Sequence, residues 1–172
     1  GGGFGVHQAG LDAGVGRVAR ALGDGVPLGA VWPTAEVASA FGPGDHGSTF
    51  AGQPLAAAAA REVLRVMEEI DVPLLARERG AELTALLESV PGVAGVRGLG
   101  LLLAAELRPE ALNGRTAAEV ARACLEAGLV VNGVTPTALR LAPPFTVSGE
   151  ELVEGVGILA GVMAAGPAGE AT

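Results

Sequence analysis

A single change of periodicity, at Pro91–Gly92, limits the architectures open to this chain. Upstream, Pro54 and Pro73 each sit where a proline suits the first turn of a helix, ahead of stretches with helical spacing. The first stretch is expected to run to Ile70, with Leu55, Ala59, Val63, Val66 and Ile70 along one face. The second is expected to reach Ser89, with Leu75, Leu83, Leu86 and Leu87 as core candidates. Downstream the pattern shortens. VAGVRG and LGLLLAAEL read as two strands joined by a glycine turn, and residues 129–132 and 139–142 read as two more. Between these pairs, Thr116 with Glu119 three residues on is a capping box that opens a helix ending near Gly128. Ser148 with Glu151 opens a terminal helix whose Leu152, Val156, Leu159 and Met163 form one stripe. The glycines at 149, 155, 157 and 161 weaken that helix by about 1 kcal/mol each relative to alanine, so packing must hold it. Mixed strands and helices of these lengths give an α/β fold.

The first third is less periodic. Residues 1–17 are rich in glycine and yield no element. Residues 27–32 (PLGAVW) read as a short buried strand after a GDG turn, 34–41 have helical spacing, and FGPGDHGST is a loop. The alanine run 56–60 lies on a helical pattern and reads as close helix packing. Three parts are expected: 1–53, the connecting helices 54–90, and a small α/β domain over 91–172.

Apolar residues make up 49% of the 172 and charged residues 17%, which argues for a folded core. The net charge of −8 repels phosphate backbones, so nucleic acid and anionic membranes are excluded as expected partners. The longest apolar run in the terminal helix is too short to span a bilayer. Cys124 is the one cysteine, which forbids an internal disulfide, fits a cytoplasmic location and reads as a small core residue. His7 and His46 are too isolated to be metal ligands, so no metal is expected. GVGRVA (residues 14–19) imitates a G-x-G-x-x-A dinucleotide turn, but no strand is expected before it. The start, GGGFGVHQAG, has no basic segment ahead of an apolar core and is not read as a secretory signal. It also lacks an initiator methionine, and the chain is expected to be the C-terminal portion of a longer protein.

All eleven basic side chains are arginine; there is no lysine. That matters because VARALGDGVPLGA (residues 18–30), followed by DHGSTFAGQPLA (residues 45–56), resembles two loops of the class III pyridoxal-phosphate aminotransferases, of the acetylornithine aminotransferase type. RGLGLLLAAEL and LRLAPPFTVSGEEL resemble the same family's small-domain pattern, and the motifs occur in the family's order. The resemblance implies the C-terminal part of a fold-type I pyridoxal-phosphate-dependent transferase. The family's reaction moves an amino group between an N-acylornithine or similar ω-amine and 2-oxoglutarate. It further implies a homodimer, or a partner role toward a full-length paralogue.

The same resemblance assigns roles to particular residues. Arg20 stands where the family has the lysine that holds the cofactor as a Schiff base. Deprotonating an arginine at pH 7 costs roughly 8 kcal/mol, and a delocalised guanidine is a poor nucleophile for an aldehyde. Arg20 is therefore read either as a solvated or ion-paired arginine, or as a noncovalent hold on a phosphate-bearing ligand; neither restores amino transfer. Ser48 takes the position of a substrate contact, and Thr49 that of a hydrogen bond to the cofactor phosphate across the dimer. Without the family, GST reads as a helix-capping turn. Ala51 and Gln53 depart from the family's GGNP and add bulk to that loop. Arg140 takes the position of the arginine that binds the substrate α-carboxylate, for which a guanidinium fork is suited; the alternative is an arginine paired with a surface acid. Arg97 fits the pattern too and is given a structural role beside the glycine turn. The family's aspartate for the pyridine nitrogen and its ring-stacking aromatic residue lie ahead of the matched stretch. The expectation is an acetylornithine-type aminotransferase chain that is inactive by itself, or, alternatively, a noncatalytic dimerisation or binding module of the same fold.

Overall fold

The computed structural model describes residues 15–19 and 21–166. His7 and Arg20 lie outside them. The chain separates into two compact units, residues 1–73 and 74–172.

In the first unit, strand β1 (Val15–Ala19) pairs antiparallel with β2 (Gly29–Pro33), in a register that sets Gly16 opposite Trp32. A short 3-10 turn, Ala21–Gly23, lies between them. Residues 15–19 of the dinucleotide-like segment are therefore a strand. Glycine at 16 leaves room for the Trp32 indole, which occupies the space a side chain there would need. The expected strand at 27–32 is present two residues later, but it is exposed along its whole length. A two-stranded ribbon has no second layer of its own to cover it, which is why the apolar composition misleads. Helix α1 (Ala35–Ala38) is a single turn capped by the Thr34 hydroxyl, shorter than the spacing predicts.

Helix α2 (Pro54–Glu69) starts at the expected proline. Its buried residues are Ala56 and Ala60, while Leu55, Val66 and Ile70 are exposed. The inward face is thus the alanine face, and the stripe of large side chains expected there points largely to solvent. Arg65 bridges Glu62 and Glu69 along the exposed side, which holds the Glu62 carboxyl below its usual range.

The second unit follows the sequence closely. Helix α3 (Val72–Glu88), whose first two residues fall in the first unit, buries Leu83 and Leu87. Strands β3 (Val93–Leu99) and β4 (Leu102–Leu107) form a hairpin, helix α4 (Ala117–Glu126) follows, then β5 (Asn132–Thr135), β6 (Ala138–Leu141) and helix α5 (Gly149–Ala165). The sheet is antiparallel in the order β3-β4-β6-β5. Both capping boxes are formed: Thr116 and Ser148 accept from the backbone N–H of Glu119 and Glu151, whose carboxylates accept in return from the N-cap backbone. Those backbone bonds, reinforced by the cap hydroxyls, hold the two carboxyls below the ordinary glutamate range.

β5 starts three residues later than expected. α4 ends in a Schellman motif, with the N–H of Leu129 donating to the Cys124 carbonyl at 2.8 Å and that of Gly128 to Leu125 at 3.1 Å. Gly128 has φ +95°, a conformation that suits glycine. The apolar run after it is consumed by that termination, and the ladder begins only at Asn132. Gly133 then lets β5 pass close under α4, where a Cβ would stand 2.6 Å from the Ala118 backbone.

One face of the sheet carries Leu103, Ala105, Leu107, Leu139 and Leu141, buried in a core with Val120, Cys124, Leu87 and the expected α5 stripe of Leu152, Val156, Leu159 and Met163. Burial raises the Cys124 thiol above its usual range, with the charge of Arg115 opposing. Arg115 fastens the core's far end: Nε donates to the Leu112 carbonyl, and Nη1 to those of Val162 and Gly166 at the end of α5. No described helix is long and apolar enough to cross a membrane.

Candidate functional site

The sequence-predicted site residues are divided between the two units. Ser48 and Thr49 are adjacent on the loop ahead of α2, where Ser48 accepts a backbone bond from Ala51 at 3.3 Å and a turn runs from Thr49 to Gly52. Both side chains are exposed, and neither hydroxyl bonds to a described residue. They do not cap the helix. The N-cap is Gln53, which makes no side-chain cap bond, and Pro54 at the first position removes one of the N–H groups a cap would serve. The capping-turn alternative for GST therefore fails, and the two hydroxyls remain available as donors and acceptors. Upstream in the same loop, Asp45 accepts from the Gly42 N–H at 2.6 Å, and His46 stacks edge-on against Phe41 with centroids 5.4 Å apart. These contacts give the loop its own local order. Among the described residues no three His, Cys, Asp or Glu side chains gather as a metal would require.

Arg140 lies in β6, on the sheet face opposite the core, and is exposed. Its Nη2 donates to Asn132 Oδ1 at 3.1 Å, and Asn132 is its direct cross-strand partner. Among the described residues it makes no ion pair, so the surface-acid alternative fails as well. A guanidinium has five N–H donors in a planar fork; with one spent on a neutral amide, the rest can meet a carboxylate in the bidentate geometry that such groups favour. Arg97, in β3, donates from Nε to Glu106 Oε1 of β4 at 2.8 Å, an exposed pair consistent with the structural role expected for it. The partners Asn132 and Glu106 are not legible from the sequence, because their relation to the arginines depends on strand register.

The family profile described as "Aminotransferase class-III" matches residues 1–163. An acetylornithine aminotransferase of Corynebacterium efficiens is 40% identical over 164 residues, covering 95% of this chain and 39% of that protein. One from Methanocaldococcus jannaschii is 38% identical over 153 residues, covering 87% of this chain and 37% of its own length. Among solved structures, ornithine delta-aminotransferase of Plasmodium falciparum superposes with a TM-score of 0.77 at 31% identity, covering 93% of this chain and 42% of that one. Acetylornithine aminotransferase of Elizabethkingia anophelis gives 0.76 at 28% identity, covering 94% and 41%. The chain thus spans about two-fifths of the length of the relatives it matches.

Proposed function

This chain belongs to the class-III aminotransferase family, and from that premise we propose that it carries the carboxylate-anchoring part of an acetylornithine-type enzyme without completing amino transfer itself. The observation that carries the reading is Arg140: a guanidinium on an open sheet face, oriented by a neutral amide and free of any acid among the described residues. The amino-acid α-carboxylate is the group such a fork suits.

Membership implies pyridoxal phosphate as cofactor. When bound, that group supplies an aldehyde for amines and an electron-withdrawing ring. The residues present fit a noncovalent hold and do not fit a covalent one. Thr49 and Ser48 offer unengaged hydroxyls of the kind that meet phosphate oxygens. No primary side-chain amine exists anywhere in the chain, and Arg20 occupies the family's lysine position. The three-part division at 53 and 90, with the lysine loop and HGST in the first part, is part of the same reading, as is a location in the cytoplasm.

The test is to incubate the chain with pyridoxal phosphate, reduce with borohydride and map any adduct by mass spectrometry. No side-chain adduct is expected; one at a defined residue, or steady amino transfer by the purified chain, would falsify the inactivity. Titration with 2-oxoglutarate should show weak, saturable binding that Arg140→Gln removes.

A second reading, a noncatalytic dimerisation or binding module that pairs with itself or with a full-length paralogue, draws support from the exposed Val31, Phe50 and Leu55 of the first unit. Light scattering separates the two: a monodisperse monomer across micromolar concentrations argues against it.

A further inference from the structure

The ladder registers place four residues in one row across the second unit's sheet. Ala104 is the direct partner of Arg97 on one side and of Arg140 on the other, and Arg140 is in turn the partner of Asn132. Directly opposed residues point to the same face, so Arg97, Ala104, Arg140 and Asn132 share the open side of the sheet. Glu106 lies two residues beyond Ala104 in β4, on that same face. It is the diagonal neighbour of both arginines, at a spacing of about 7–8 Å that long side chains cross.

Glu106 therefore has two cationic diagonal neighbours and binds only one, Arg97, through Nε at 2.8 Å. Arg140 is left with Asn132, an acceptor of the same shape as aspartate but without its charge. An aspartate there, or Glu106 turned the other way, would neutralise the guanidinium and repel an incoming carboxylate.

We propose that Arg97 is a positioning residue for Arg140: by retaining Glu106 it keeps the acid off the anion-binding guanidinium, while Asn132 orients that guanidinium without cancelling its charge. The inference rests on the reading of Arg140 as a carboxylate anchor. It gives Arg97 a role at the site that its surface ion pair alone would not suggest.

The experiment is a titration of the full chain with 2-oxoglutarate at low ionic strength, followed at the Arg140 Nε–Hε resonance. Arg97→Gln should weaken binding by about fivefold, the scale of one exposed ion pair competing for the site. It should also shift the ligand-free Arg140 resonance, as Glu106 turns to it. Arg97→Gln combined with Glu106→Gln should restore the original affinity, and Glu106→Gln alone should bind as tightly as the parent or tighter. A merely structural Arg97 predicts that the double variant stays weak. Unchanged binding in Arg97→Gln, failure of the double variant to recover, or weaker binding in Glu106→Gln each overturns the proposal while leaving Arg140 as anchor. Absence of binding by the parent chain, or binding that survives Arg140→Gln, overturns the anchor reading and this inference together.

Discussion

The two units draw on the same apolar-rich composition and bury it to very different degrees. Among described residues the first buries Ala56, Ala60 and Val72, while Val31, Phe41, Phe50 and Leu55 are all more than half exposed. The second closes Leu87, Val120, Cys124, Leu139 and Leu159 away from solvent altogether. The difference lies in layers and not in hydrophobicity. The second unit has a four-stranded sheet with helices over one face, which is enough to enclose a core. The first has a two-stranded ribbon, an arrangement that is marginal by itself in water. Its apolar side chains are therefore available to a covering layer, and the loop bearing Ser48 and Thr49 belongs to the unit that holds itself together least.

That contrast can be broken most directly at Leu159. Leu159→Ala removes a fully buried side chain from α5 and should cost about 2–5 kcal/mol of unfolding free energy in a denaturant titration. A loss below about 1 kcal/mol would mean that the second unit's core is not what holds it. A smaller effect is expected at the α5 cap. Ser148→Ala removes the acceptor for the Glu151 N–H and should cost about 1 kcal/mol. The same box predicts a sensitivity to acid. Glu119 and Glu151 are held below their ordinary value in the folded state, so their contribution is fully present at neutral pH. It is lost as pH falls below about 4.3 through the lowered folded values. Circular dichroism against pH should show the second unit's helices weakening in that window, less steeply in Ser148→Ala. The smallest effect belongs to the first unit: Leu55→Ala, at a site 77% exposed, should change stability by less than about 0.5 kcal/mol. A larger loss in the isolated chain would show that α2 is covered in solution.

The second unit was also the more legible. Its capping boxes are local chemistry, since a hydroxyl and a carboxylate three residues apart define each other's partners without outside help. The α5 stripe and the β3–β4 hairpin were equally clear, because a closed core enforces the periodicity that a sequence displays. In α2 the stripe Leu55, Ala59, Val63, Val66 and Ile70 suggests one inward face, whereas the buried residues are Ala56 and Ala60 of the alanine run, which does read as close packing. β1 was missed because Gly14 and Gly16 interrupt any alternation, and β5 was displaced because a helix terminus claimed the apolar residues before it. Arg140, Ser48 and Thr49 are proposed as site residues on family resemblance, which no local periodicity supplies. The proposed link from Arg97 through Glu106 to Arg140 rests on a cross-strand diagonal, which exists only once register is fixed.

Arg115 joins the carbonyl of Leu112 to those of Val162 and Gly166, so its three bonds span more than fifty residues of chain. During synthesis, the β-strands emerge from the ribosome well before the helix that supplies these last acceptors. Until residues 162–166 have been added, Arg115 holds only the Leu112 carbonyl, so this clasp is among the last contacts of the second unit to close.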